Sequence, residues 1–287
     1  MKSQIKSIGA IHLAVLLFGF AGLFAKWVDL PAAILVFGRV FFAALFLFLY
    51  LLLAKKSFRL KTKKDYGSLF MAGVLLAFHW FTFFYSIQIS SVAIGILGVS
   101  TFSIFSALLE SFFFKEKFCY KNLIPAMLSV FGIYIILPEF SFSNMVTQGL
   151  FWAIVSGFAF ALISFLNRKQ VKKYNGGLVA FYQDLSASLV LFPLLFLLNF
   201  QFAWASLGEL MLLGAVFTAL AHSLFITGLA VIKVHQASVI ANLEPVYGIV
   251  FAFFLLGEVP SWNVLVGGAI IIGMAFWVSL RKNQNQI

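Results

Sequence analysis

The sequence predicts an all-α membrane protein of ten transmembrane helices, arranged as two inverted five-helix repeats with both termini cytoplasmic. Three observations carry this. Ten apolar stretches follow one another between Ser7 and Leu280, and a hydrocarbon core about 30 Å thick is crossed by roughly 20 helical residues at about 1.5 Å each. Eighteen of the twenty Lys and Arg fall in alternate connections, and features of the first half return in the second at an offset of 142 residues. Composition agrees: 63% of the 287 residues are hydrophobic and 10% charged, against about 25% charged in a soluble globular chain. Mean hydropathy is +1.05. There is too little polar surface for a water-soluble globule.

The first stretch, 7–28, begins almost at Met1 without a small-residue cleavage site behind it, so it reads as a retained span and not a removed signal. The second, 32–54, carries Arg39. The third, 66–87, carries His79 and Trp80, and the fourth, 92–114, carries Ser100, Ser103 and Glu110. The fifth is 122–138 and the sixth 148–168. Tyr182, Gln183 and Asp184 lie in the seventh, 177–198, and His222 in the eighth, 207–230. The ninth, 237–256, contains Asn242, Glu244-Pro245 and Tyr247, and the tenth is 263–280. The fifth and tenth are the shortest, lengths that bilayer thinning or snorkelling flanks accommodate. Were both re-entrant, eight spans would remain, with the termini still on one side.

Orientation follows from the cations. With the amino terminus inside, the cytoplasmic segments and the adjoining Arg168 hold all Lys and Arg except Lys26 and Arg39, and the outer loops hold none. Lys and Arg in short loops orient a membrane protein, so both termini are assigned to the cytoplasm. The same bias accounts for the net charge of +11 without nucleic acid. Its densest run, Lys55, Lys56, Arg59, Lys61, Lys63 and Lys64, reads as a topogenic loop facing anionic lipid. Trp27, Trp204 and Trp262, near outer helix ends, read as interfacial anchors.

Aligning Lys115-Glu116 with Gly257-Glu258 sets the repeat, and Ser103 then meets Pro245 and Ala126 meets Gly268. The units are 8–138 and 148–280. Five spans per unit force the second to enter from the opposite face, which puts Glu116 in a cytoplasmic turn and Glu258 in an outer one. Inverted repeats build many secondary transporters, with two alternately opening faces around a midplane site. No connection exceeds about a dozen residues, which leaves no room for an extramembrane catalytic domain.

Several motifs now stand in order: Phe18-Gly19 followed by Lys26; Arg39; Ala77-Phe78-His79-Trp80 through Ser90-Ser91-Val92-Ala93; the Lys115-Glu116-Lys117 turn; and Asn242-Leu243-Glu244-Pro245-Val246 leading to Leu256-Gly257-Glu258. Over residues 8–280 the chain resembles the EamA family of the drug/metabolite transporter superfamily. The resemblance implies a ten-helix carrier of the bacterial inner membrane that moves a small metabolite by alternating access, with export of amino acids or related amphipathic compounds foremost. Proton-coupled carriage of nucleobases, flavins or drugs is the alternative, followed by a channel or a non-transporting scaffold. Two departures are visible. Ser103 and Ser111 stand where relatives often carry Pro, so helix four is expected to be less kinked than helix nine, and Phe18 stands where many carry Trp.

Polar residues at membrane depth are the candidates for function, because they persist mainly where they face a cavity or a partner. Ser100, Ser103, Ala107 and Glu110 share one face of helix four; Ala237, Ala241, Glu244 and Gly248 share one face of helix nine. For Ala107, Ala241 and Gly248 close packing is the stronger reading. Glu244 beside Pro245, which frees a carbonyl one turn earlier, suits ligand or proton binding. His79 and His222, pseudo-equivalent within one residue, either hydrogen-bond a substrate, shuttle protons or merely pack; Trp80 offers a stacking face. Arg39 and Asp184 are separated by roughly 10 Å of depth and should find different partners. Lys26 reads as a snorkelling lysine, though it shares a face with His12, Gly19 and Gly22. The expected substrate site is His79, Trp80, Ser100, Ser103, Tyr182, His222, Asn242, Glu244 and Tyr247, with Trp152 beside the cavity and Glu244, Glu110 or Asp184 for proton coupling.

Absences narrow the rest. No G-x-x-x-x-G-K-[ST] loop is present for ATP, and no H-E-x-x-H, G-x-S-x-G or Asp pair for hydrolysis, so the chain is not expected to be an enzyme. The single Cys119 excludes an internal disulfide, and no Cys or His spacing suits a metal; no cofactor is expected. The partners are a small-molecule substrate and membrane lipid, the chain being a monomer or homodimer.

Overall fold

All regular structure among the described residues is helical. The structure, a computed structural model, describes residues 2–114, 123–137 and 141–284; the Lys115-Glu116-Lys117 turn, Cys119 and the side chain of Glu110 lie outside the described parts. The first half contains α1 (Lys2–Ala21), α2 (Phe24–Trp27), α3 (Ala32–Leu53), α4 (Lys63–Ile89), α5 (Val92–Val99), α6 (Phe102–Phe114) and α7 (Leu123–Ile136). The second contains α8 (Met145–Gln170), α9 (Gly176–Leu191), α10 (Leu194–Leu197), α11 (Trp204–Gly214), a π-helical segment (Ala215–Leu220), α12 (Ala221–Gly228), α13 (Val234–Ala241), α14 (Glu244–Leu256) and α15 (Trp262–Gln284). Joined end to end, these give eight stretches long and apolar enough to cross a membrane, from Gln4–Trp27 to Gln236–Leu256. Met127–Ile136 and Trp262–Met274 are shorter apolar helices, at the places of the two shortest sequence stretches.

Helix starts follow local chemistry. Thr62, Ser91, Asn144 and Asn175 accept hydrogen bonds from the first-turn amides of α4, α5, α8 and α9, each cap contributing about 1 kcal/mol. Helix four does not run less interrupted than helix nine, as the absence of Pro had suggested. Both break over two residues, at Ser100–Thr101 and at Asn242–Leu243. In helix four the hydroxyls do the work: Ser100 Oγ donates to the Leu97 carbonyl (2.7 Å) and Thr101 Oγ1 to that of Gly98 (2.6 Å), competing with the helical amides. The two pieces match closely. Both limits of α13 and the start of α14 lie 142 residues beyond those of α5 and α6.

α4 packs along α8 and α9, α3 along α9 and α11, α1 along α12 and α14, and α7 along α15. Small residues set these approaches. A Cβ on Gly73 would collide with Ser186 and the Gln183 carbonyl of α9, and a Cβ on Gly19 would come within 3.1 Å of the Glu244 carbonyl and the Gly248 amide of α14. Large apolar side chains such as Leu53, Phe196 and Phe254 point outward. That surface suits lipid and not water.

Candidate functional site

A narrow cavity lies where α1, α3, α4, α12 and α14 converge, with about 30 Å³ of open space, room for about two waters. Its polar walls are Arg39, His79, His222 and Glu244, and its aromatic walls include Phe18, Trp80 and Phe160. Four expected site residues thus meet in one place: His79 and Trp80 from the first half, His222 and Glu244 from the second. A wider groove of about 570 Å³ beside Phe41, Phe48 and Phe192 is almost wholly apolar and faces outward.

Each polar group is held by identifiable neighbours. His79 Nδ1 lies 3.0 Å from the Ser156 carbonyl and 2.7 Å from Ser156 Oγ, which itself donates to the His79 carbonyl at 2.8 Å. A carbonyl only accepts, so this network assigns the proton to Nδ1 and leaves Nε2 as the free ring nitrogen. The imidazole is stacked on Phe160 with centroids 4.9 Å apart. Arg39, which is 1% exposed, spreads its guanidinium over the Trp80 ring at 3.9 Å and over Phe84 at 4.9 Å. Its Nε donates to Thr218 Oγ1 (3.0 Å) and its Nη2 to the Phe217 carbonyl (3.4 Å). Both acceptors belong to the π-helical segment, a rare, wider helical turn that frequently occurs at functional sites. Thr218 Oγ1 in turn donates to Leu213 O, five residues back.

Arg39 and Asp184 do take different hydrogen-bonding and contact partners. Asp184 Oδ1 is 3.6 Å from His222 Nδ1, long for a hydrogen bond and an ion pair only when the imidazole is protonated. Asp184 and Glu244 both lie within electrostatic reach of the Arg39 guanidinium. Trp80 closes the arrangement, meeting the His222 ring edge-on at 5.5 Å.

The other expected residues stand outside the cavity wall. Ser100 is used in the helix break, and Ser103 Oγ donates to Asn242 Oδ1 at 2.6 Å, tying α6 to the α13–α14 break. Tyr182 donates to the Phe58 carbonyl at 2.8 Å. Tyr247 packs beside Gly19, and Trp152 meets Tyr85 and Phe151. Sequence reasoning noticed Arg39 without assigning it to the site; a buried arginine in mid-span was the signal available. Ser156 and Thr218 gave no signal, since hydroxyls in apolar helices are common.

Two polar clasps stand at the ends of the bundle. At one, Asp65 of α4 receives Lys173 Nζ (2.6 Å) and Tyr174 OH (2.8 Å), and that OH accepts from Lys61 N (2.7 Å), joining the α3–α4 and α8–α9 connections. The carboxylate raises the Lys173 pKa above its ordinary value. At the other, Glu258 Oε2 accepts from Val92 N (3.0 Å) at the start of α5, while Lys26 Nζ donates to the carbonyls of Gln88 (3.3 Å) and Ser90 (3.1 Å) at the end of α4. Lys26 is therefore a helix cap and not only a snorkelling lysine. Among the described residues no group of three or more His, Cys, Asp and Glu could hold a metal ion.

Comparison with known proteins places this architecture. The uncharacterized transporter YxxF of Bacillus subtilis (strain 168) is 26% identical over 297 residues, covering all of this chain and 94% of its own. The S-adenosylmethionine uptake transporter of Rickettsia bellii (strain RML369-C) is 22% identical, over 84% of this chain and 81% of its own. One solved crystal structure shares the fold with a TM-score of 0.71 at 16% identity, covering all of this chain and 99% of its own. The model of the EamA-like transporter family matches twice, over residues 5–137 and 147–280. With nearly its whole length accounted for in these two matches, the chain belongs to the EamA-like transporter family.

Proposed function

We propose that this multi-pass membrane protein is a secondary carrier of the bacterial inner membrane, built from two inverted five-helix units, that moves a small amphipathic metabolite by alternating access. The observation that carries the reading is the cavity itself, where polar and aromatic side chains from both halves converge in an otherwise apolar bundle. Inverted-repeat carriers hold substrate at such a junction. The 142-residue offset shared by α5–α6 and α13–α14 supports the repeat, as does the double family match. Both termini are assigned to the cytoplasm by the cation bias.

An amino acid or a related compound suits this chemistry. Arg39 complements a carboxylate, Glu244 an ammonium, His79 Nε2 accepts from a donor, and Trp80 covers an apolar or cationic flank. A relative named for S-adenosylmethionine uptake, itself an amino acid joined to a nucleoside, is in keeping with that class. Export is the direction the sequence resemblance implies, whereas that relative is named for uptake. Room for about two waters admits no such substrate, so loading requires the helices around the cavity to part.

The test is flux of labelled amino acids and related metabolites in proteoliposomes. Saturable uptake with counterflow is expected, weakened by Glu244→Gln. Non-saturating flux would instead mark a channel, and absence of flux across a broad metabolite panel would remove the carrier reading.

A further inference from the structure

Behind the cavity wall lies a second polar group that substrate contact does not use. His222 reaches the cavity with one edge of its ring and presents Nδ1 to Asp184 Oδ1 at 3.6 Å. Asp184 is fully buried and His222 is 2% exposed. Apart from their 3.6 Å approach to each other, neither carboxylate oxygen of Asp184 and neither ring nitrogen of His222 has a hydrogen-bond partner among the described residues. Four unsatisfied polar atoms on two adjoining buried side chains are expensive, because each forfeits its hydration without replacement. A structural ion pair would close to hydrogen-bond distance and recruit donors for its remaining oxygen. This pair does neither.

Its surroundings extend the pattern. Gln183, the neighbour of Asp184, donates Nε2 to Asn167 Oδ1 of α8 at 2.5 Å, while Gln183 Oε1 and Asn167 Nδ2 remain open. Ser164 and Gln170 lie three residues either side of Asn167, on one face of α8; Ser164 Oγ and Gln170 Oε1 are also open, and Gln170 Nε2 reaches Ser68 Oγ at 2.7 Å near the start of α4. A run of open donors and acceptors thus leads from the Lys173 end of the bundle toward Asp184. The charged and titratable groups around the pair are Arg39 from α3, His79 from α4 and, across Arg39, Glu244 from α14; His12 of α1 is exposed.

We propose that Asp184 and His222 form a proton-binding site distinct from the substrate cavity, with His222 as the side chain common to both. A proton from the aqueous phase binds between the Asp184 carboxylate and His222 Nδ1, and its release returns it to water along the face of α8. Because His222 borders the cavity edge-on to Trp80, the charge state of the pair alters the wall that meets substrate. The inference rests on the carrier reading for what the proton does, and not for where it binds.

The experiment needs no substrate. The chain has three aspartates, Asp29, Asp65 and Asp184, so infrared difference spectra of protein labelled with ¹³C-aspartate in lipid vesicles resolve their carboxyl bands from those of glutamate. One labelled carboxyl band should titrate reversibly with pH. It should survive Asp29→Asn and Asp65→Asn, vanish in Asp184→Asn, and shift its midpoint in His222→Gln. A band that persists in Asp184→Asn, or a midpoint indifferent to His222→Gln, overturns the proposal. Should Asp184→Asn fail to fold, the labelled wild-type chain and His222→Gln still decide it: no titrating band in the wild type also overturns the site. A wild-type chain that shows the band but no saturable flux would reject the carrier reading and leave the proton site standing.

Discussion

Trp80 is caught between Arg39 above its face and His222 at its edge, so its ring has two tasks that substitution can separate. Trp80→Ala should weaken substrate binding by about 1 to 3 kcal/mol if the indole covers the ligand, and should also strip the Arg39 guanidinium of its aromatic bed. Trp80→Phe keeps a ring under Arg39 and should recover part of both losses. Equilibrium binding alongside thermal melting distinguishes them: two substitutions with wild-type affinity would remove Trp80 from the binding surface. Far from the cavity, Tyr174 OH both donates to Asp65 and accepts from Lys61 N. Tyr174→Phe should cost about 1 to 2 kcal/mol, since a partly buried amide and a carboxylate oxygen each lose a partner. An unchanged melting temperature in detergent would contradict that.

Among the helices, α4 shows most sharply how a residue's value depends on what faces it. Gly67 and Gly73 sit on the same helix, yet a Cβ at Gly67 meets nothing within 4 Å while one at Gly73 strikes Ser186 and the backbone of α9. Gly73→Ala should therefore destabilise by about 1 to 3 kcal/mol by forcing the two helices apart. Gly67→Ala should stabilise by about 0.5 to 1 kcal/mol, through helix propensity alone. Equal melting temperatures for the pair would mean that α4 and α9 do not approach as closely as described. The eight long apolar stretches were legible in the sequence, because crossing a bilayer imposes a length that hydropathy records. The interruption at Ser100–Thr101 was not. A serine that donates to its own helix and a serine that packs are the same letter, and only the carbonyls of Leu97 and Gly98 tell them apart.

At the scale of the whole molecule, the proposed orientation is open to direct test by reporter fusions. Fusions at Lys64, Lys172 and Lys282 should report cytoplasm, and fusions at Ser143, Phe202 and Ser261 the opposite compartment; one clean reversal defeats the inverted arrangement. The candidate site was legible in part for a related reason. His79, Trp80, His222 and Glu244 are conspicuous because polar and amphipathic groups are rare in such a chain, whereas the role of Ser103 as a tie to Asn242 depends on which helices touch. The Glu258 clasp carries a consequence for life in a changing medium. In the proposed orientation it closes the outer face, and burial raises the Glu258 carboxyl above its ordinary range, against the opposing pull of the Val92 amide and the Lys26 charge. The clasped form thus holds a proton more tightly than one with the loop in water. Its advantage is whole below the ordinary glutamate value of about 4.3 and fades as pH climbs through the raised value. Amide exchange at Val92 and Ala93, corrected for its intrinsic pH dependence, should accordingly be better protected in acid than near neutrality, and Glu258→Gln should flatten that difference. Acidity on the face that carries this loop would then favour the clasped form, through a single loop carboxylate.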